Sequence, residues 1–124
     1  MLDIKSQNLK VGMYIRLSRE DGDKQESESI SNQRNILQRY VKENDLCFVK
    51  EYVDDGVSGT TFDRPGFNEM LQDIENKNIN MVITKDLSRL GRDYIKTGFY
   101  IEDYFPKNNV RYVAITDGID TYLE

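Results

Sequence analysis

The sequence predicts a three-layer α/β domain, a largely parallel sheet of four to five strands flanked by helices. Short runs rich in β-formers, one of them with a clear period of two, alternate with stretches of helical periodicity. Their order is β-α-β-α-β-α-β, the alternation that parallel strands joined by right-handed crossovers produce. No repeat, low-complexity stretch or linker interrupts it, and 124 residues fit one domain.

Each element has its own signal. Residues 1–9 lack periodicity and are expected to form a frayed tail, leaving 10–124 as the domain. Val11 to Leu17 alternates, with Val11, Met13, Ile15 and Leu17 on one face, and reads as the first strand. Ile30 to Leu46 carries Ile30, Leu37, Tyr40 and Val41 at amphipathic-helix spacing. Cys47 to Val53 is a second strand, followed by the glycine-punctuated loop Asp54-Asp55-Gly56-Val57-Ser58-Gly59. Pro65 sits where a helix tolerates proline, in its first turn, and Phe67, Met70, Leu71 and Ile74 continue that helix. Met81 to Thr84 is a short buried strand. Leu87 to Tyr104 is largely helical, irregular around Gly91 and ended by Pro106 and Asn108-Asn109. Val110 to Thr116 is the fourth strand.

Composition removes several chemistries. There is no histidine, so no Ser-His-Asp or Cys-His catalytic set exists within the chain, nor a Cys/His zinc site. The single Cys47 forms no internal disulfide and is expected as a small buried hydrophobe. Tyr94, Tyr100 and Tyr104 are expected to be packing residues. Met1 to Lys10 is polar and lacks signal-peptide character, and apolar runs such as Val113-Ala114-Ile115 are far below the roughly 20 residues that span a bilayer. The expectation is a cytoplasmic protein with no membrane association. The formal net charge of -5 is not a nucleic-acid-binding balance for the surface as a whole.

Functional groups nevertheless collect where a parallel sheet binds ligands, beyond the carboxyl ends of its strands. The first strand delivers Tyr14, Arg16 and Ser18 on the face opposite its apolar one, which is taken as the core face. The second delivers Asp54, Asp55, Ser58 and, past the loop, Arg64. The third delivers Lys85, Asp86, Ser88, Arg89 and Arg92, with Arg89 and Arg92 expected on one solvent-facing side of a helix. Arginine forks match phosphate oxygens bidentately. Four of them around one serine hydroxyl point to nucleophilic attack on a phosphate ester. Singly, each has a plainer reading: Ser18 as a turn residue, Arg16 as an edge ion pair, Arg89 and Arg92 as a solvated helix face salted by Asp86 and Asp93. Their joint placement favours chemistry.

These residues carry a resemblance. Tyr14-Ile15-Arg16-Leu17-Ser18 resembles the opening Y-x-R-x-S motif of serine recombinase catalytic domains, the resolvase/invertase family. Asp55-Gly56-Val57-Ser58-Gly59 with Arg64-Pro65-Gly66-Phe67 resembles the second block, and Ser88-Arg89-Leu90-Gly91-Arg92-Asp93 the third. The long segment after Ser18 and Ser29-Ile30-Ser31-Asn32-Gln33 look most like the large serine recombinases of mobile elements and transposons. The resemblance implies that Ser18 attacks a DNA phosphodiester, giving a 5′-phosphoserine intermediate before strand exchange and religation. It implies that Arg16, Arg89 and Arg92 bind the scissile phosphate, that Arg64 supports them, and that Gln33, Tyr14 and Ser58 assist. It implies double-stranded DNA as partner, dimers and tetramers in the full-length protein, no metal and no cofactor, and a bacterial, nucleoid-associated setting. Ser88 stands where smaller family members commonly carry an acid, with Asp86 two positions earlier, so the general acid and base stay open. The chain is also expected to be a fragment ending before a long dimerisation helix and a DNA-binding region, weakly active or inactive alone. The competing reading is a flavodoxin-like phosphoacceptor signalling domain using Asp54 and Asp55 at one strand end, with Lys85 at another. It leaves the four arginines unexplained, since they would repel Mg²⁺.

Overall fold

The computed structural model describes residues 9–17, 29–56 and 64–123. Its sheet has five strands, β1 (Lys10–Leu17), β2 (Cys47–Asp55), β3 (Met81–Thr84), β4 (Arg111–Ala114) and β5 (Ile119–Asp120), in the spatial order β2-β1-β3-β4-β5. The first four are parallel, and β5 turns back antiparallel on β4. The chain reverses direction across the sheet between β1 and β3, and the crevice beyond that switch point is where ligands of doubly wound sheets bind.

Helix α1 (Ile30–Glu43) starts at Ser29, whose hydroxyl accepts from Asn32 N at 3.0 Å. Helix α2 (Pro65–Glu75) has its proline in the first turn, as expected. The third helical stretch is broken into α3 (Leu87–Leu90), α4 (Tyr94–Phe99), a π-helical turn (Tyr100–Tyr104) and α5 (Phe105–Lys107). Pro106 therefore does not end the helix. It lacks an N–H and its ring crowds the preceding turn, and the widened π turn just before it provides the room.

Two cores sandwich the sheet. Val11, Met13, Ile15, Met81, Ile83 and Val113 pack with Leu37 of α1. Tyr14, Tyr52, Val82, Tyr112 and Ala114 pack with Phe67, Met70 and Ile74 of α2, Leu90 and Phe105. The face carrying Tyr14 is thus a second core rather than an open polar side, because a central parallel strand is covered on both faces. Leu9, counted from the sequence as tail, is 1% exposed within the α1-side core.

A β-bulge tunes the edge. Val11 pairs with Phe48 but Gly12 with Lys50, so Val49 is an extra residue. After it Tyr14 lies beside Tyr52 and Arg16 beside Asp54. Cys47 lies at the start of this edge strand, before the bulge, and is exposed rather than buried. Tyr94 is also exposed, at 92%, whereas Tyr100 and Tyr104 pack against the α2-side core.

One acid contact ties β2 to α2. Tyr52 Oη donates to Asp73 at 2.6 Å, Asn78 Nδ2 donates to its other oxygen at 3.0 Å, and Lys50 is near. These lower the Asp73 pKa below its ordinary 3.8, the tyrosine hydrogen bond contributing most. A carboxylate depressed on folding stabilises the native state above its unfolded pKa and loses that contribution as pH falls through the folded value. In urea unfolding across an acid series, the deficit of Asp73→Asn relative to the parent is expected to shrink as the pH drops below 3.8.

Candidate active site

The carboxyl ends of β1 and β3 meet at the switch point, and the described candidate residues gather there. Arg16 is fully buried on β1. Its Nε donates to Arg89 O at 3.2 Å and an Nη to Ser88 O at 2.5 Å, so it straps the start of α3 to the central strand. Its own carbonyl receives Gln33 Nε2 from α1 and an Arg89 Nη, each at 3.1 Å. An arginine in a core strand is tolerable because backbone carbonyls receive its donors. Burial first, then the nearby charges of Arg64, Arg92 and Arg89, push its pKa down to about 10. Arg16 remains a cation at neutral pH, and the other three arginines bear on it.

Arg64, also fully buried, precedes α2. It donates to Tyr14 Oη at 2.8 Å and lies against the Tyr14 and Phe67 rings, at 5.8 and 5.1 Å from their centroids. Tyr14 in turn donates to Asp54 Oδ2 at 2.7 Å. Burial drives the Tyr14 pKa up, with Arg64 opposing and Asp54 reinforcing that rise. The Asp54 carboxylate also accepts Gly66 N at 2.8 Å and Phe67 N at 2.9 Å, the first amides of α2. A negative charge there suits both the free N–H groups and the helix dipole. Gly66 permits the approach, since a Cβ at that position would sit 3.0 Å from both carboxylate oxygens.

Two expectations change at α3. Arg89 and Arg92 do not share a helix face, because α3 ends at Leu90 and the chain reopens before α4. Arg89 is 2% exposed rather than solvent-facing, while Arg92 is exposed. Asp86 precedes α3, accepts the Ser88 hydroxyl at 2.6 Å and lies 3.8 Å from Arg89 Nε. Asp117, not singled out from the sequence, accepts Leu87 N at 2.7 Å and pins the start of α3. Its signal was available: it follows β4 at the same carboxyl edge. The competing reading, with Asp54 and Asp55 as phosphoacceptors, is not favoured, because Tyr14, Gly66 and Phe67 occupy the Asp54 oxygens and the residue is 3% exposed. Asp55 is exposed at the strand end. Ser18 and Ser58 lie outside the described residues, although Ser18 directly follows the last residue of β1.

The sequence pattern of the family described as Resolvase, N terminal domain, matches residues 11–124. The chain belongs to the resolvase family. Similar solved structures agree with this membership. The N-terminal catalytic domain of TP901-1 integrase shares 32% identity over 91% of this chain and 82% of that one, with a TM-score of 0.81. A resolvase family site-specific recombinase from Streptococcus pneumoniae shares 27% identity over 94% and 78%, with a TM-score of 0.76. The first ORF of transposon ISC1904 from Sulfolobus solfataricus P2 shares 31% identity over 84% and 65%, with a TM-score of 0.62. The resolvase-type α/β fold and its kinship with serine recombinases from mobile elements thus stand as first read. No helix among the described residues is long and apolar enough to cross a membrane.

Proposed function

We propose that this resolvase-family chain cleaves and rejoins DNA through Ser18. The observation carrying the reading is the convergence of Arg16, Gln33, Arg64 and Arg89 at the end of the strand that runs into Ser18, with the charge of Arg92 bearing on Arg16. Ser18 Oγ forms a bond to phosphorus and the P–O3′ bond breaks. The 3′ oxygen leaves as a hydroxyl, taking up one proton while the serine releases one to a carboxylate or water. The phosphodiester energy stays in the 5′-phosphoserine link, so a 3′-hydroxyl can reverse the step without ATP. The arginines stabilise the added negative charge of the transition state, where loss of one preorganised donor costs about 10²–10³ in rate. Arg92, the exposed member, contacts the phosphate, whereas Arg16 and Arg89 shape the floor beneath it. Double-stranded DNA is the substrate, and exchange of both strands requires association of several subunits.

The test is a denaturing-gel assay with nicked suicide duplexes drawn from a randomised library. A covalent protein–DNA adduct is expected with the parent protein and none with Ser18→Ala. An adduct that survives Ser18→Ala, or maps to a tyrosine, overturns the reading.

A further inference from the structure

We propose that Tyr100 is a positioning residue that fixes the spacing between Arg64 and Arg92, an inference that rests on the catalytic reading above. Arg64 is held on one side by Tyr14 Oη and on the other by the Phe67 ring. Phe67 is itself wedged between two edge-on aromatics, Tyr14 at 5.7 Å and Tyr100 at 5.1 Å. The Tyr100 ring thus closes the aromatic wall behind the guanidinium. Burial raises the Tyr100 pKa and the Arg64 charge opposes the rise.

The same residue anchors the element that follows Arg92. Asp93 Oδ1 accepts Ile95 N and Lys96 N, both at 3.1 Å, and starts α4 immediately after Arg92. From Asp93 to Tyr100 a helix advances about 10 Å. The outward residues Tyr94 and Ile95 are 92% and 81% exposed, so α4 grips the body chiefly through Thr97 and the residues at its far end. Tyr100 opens the π-helical turn, in which Phe105 N reaches back five residues to Tyr100 O. The widened turn lets Tyr100, Tyr104 and Phe105 all pack on the α2-side core. One ring therefore touches the wall of Arg64 and ends the helix that begins beside Arg92.

The test measures single-turnover adduct formation and thermal midpoints for Tyr100 variants of the protein. Tyr100→Met is expected to slow adduct formation about 10- to 100-fold, the cost of misplacing a catalytic group by about an ångström, without weakening DNA binding. Tyr100→Phe, which keeps the ring, is expected to retain the parental rate. In an Arg64→Lys background, Tyr100→Met is expected to add little further rate loss, because both changes disturb the same Arg64–Arg92 spacing, while their thermal effects persist. If Tyr100→Met does not fold, Tyr100→Trp decides: its larger ring displaces Phe67 and must slow the reaction in folded protein. A parental rate in Tyr100→Met or Tyr100→Trp, or full additivity with Arg64→Lys, overturns the proposal. Loss of Ser18 dependence would instead sink the catalytic reading, so the two failures are distinguishable.

Discussion

Arg92→Ala is expected to cut covalent adduct formation by about 10²–10³ while leaving the thermal midpoint near that of the parent. Arg92 is exposed in the short connection between α3 and α4, and substitutions at such positions usually change stability by no more than about 0.5 kcal/mol. Its electrostatic reach is nevertheless specific, since its charge helps depress the pKa of Arg16. Arg89→Ala should behave differently. Arg89 is 2% exposed and donates to the Arg16 carbonyl at 3.1 Å, so its removal loses packing of a long buried stem and a charged hydrogen bond between α3 and β1. A loss of about 2–3 kcal/mol is expected for Arg89→Ala, together with loss of activity. Denaturation curves and adduct assays on the two variants separate a phosphate-contacting arginine from a framework one. Equal stability losses in both would overturn that division.

That contrast marks where sequence reading stops. The strand β1 was legible from its period of two and α2 from its apolar spacing, but the alternation in β1 did not report burial, since Val11 to Arg16 are all buried between the two cores. The two motifs ending β1 and opening α3 were legible because the sheet carries its ligand groups at strand ends. The break between Leu90 and Tyr94 was not fully legible, since a three-residue spacing of arginines reads as one helix face whether or not the helix continues. The role of Asp54 was hidden for a different reason. The sequence places Asp54 in the loop after a strand ending at Val53, whereas β2 runs on to Asp55 and sets Asp54 in the pleat beside Arg16. No residue pattern announces that extension, and an acid in a glycine-punctuated segment looks available to a ligand.

Asp54→Ala is accordingly expected to be the most destabilising single change among the described site residues, about 3–5 kcal/mol, a large share of the roughly 5–15 kcal/mol that holds a domain together. The carboxylate serves the Tyr14 hydroxyl and the Gly66 and Phe67 amides simultaneously. Alanine strands all three donors in a region that is 3% exposed or less at Asp54, Tyr14 and Phe67. Each buried unsatisfied group costs about 1–3 kcal/mol. Asp54→Asn keeps the shape but presents an N–H₂ where a second acceptor is needed, so an intermediate loss is expected. That variant also tests the electrostatic coupling. The Asp54 charge raises the Tyr14 pKa and Arg64 lowers it, both beside the larger rise that burial causes, so removing the acid charge favours Tyr14 ionisation. Tyr14, the acceptor of Arg64, would lose its carboxylate anchor, and adduct formation should fall with it. A phosphoacceptor would give the opposite pattern, loss of phosphorylation in a fully stable protein. An Asp54→Ala protein that unfolds at the parental denaturant concentration would therefore refute the assignment of this carboxylate to holding β1, β2 and α2 around Arg64.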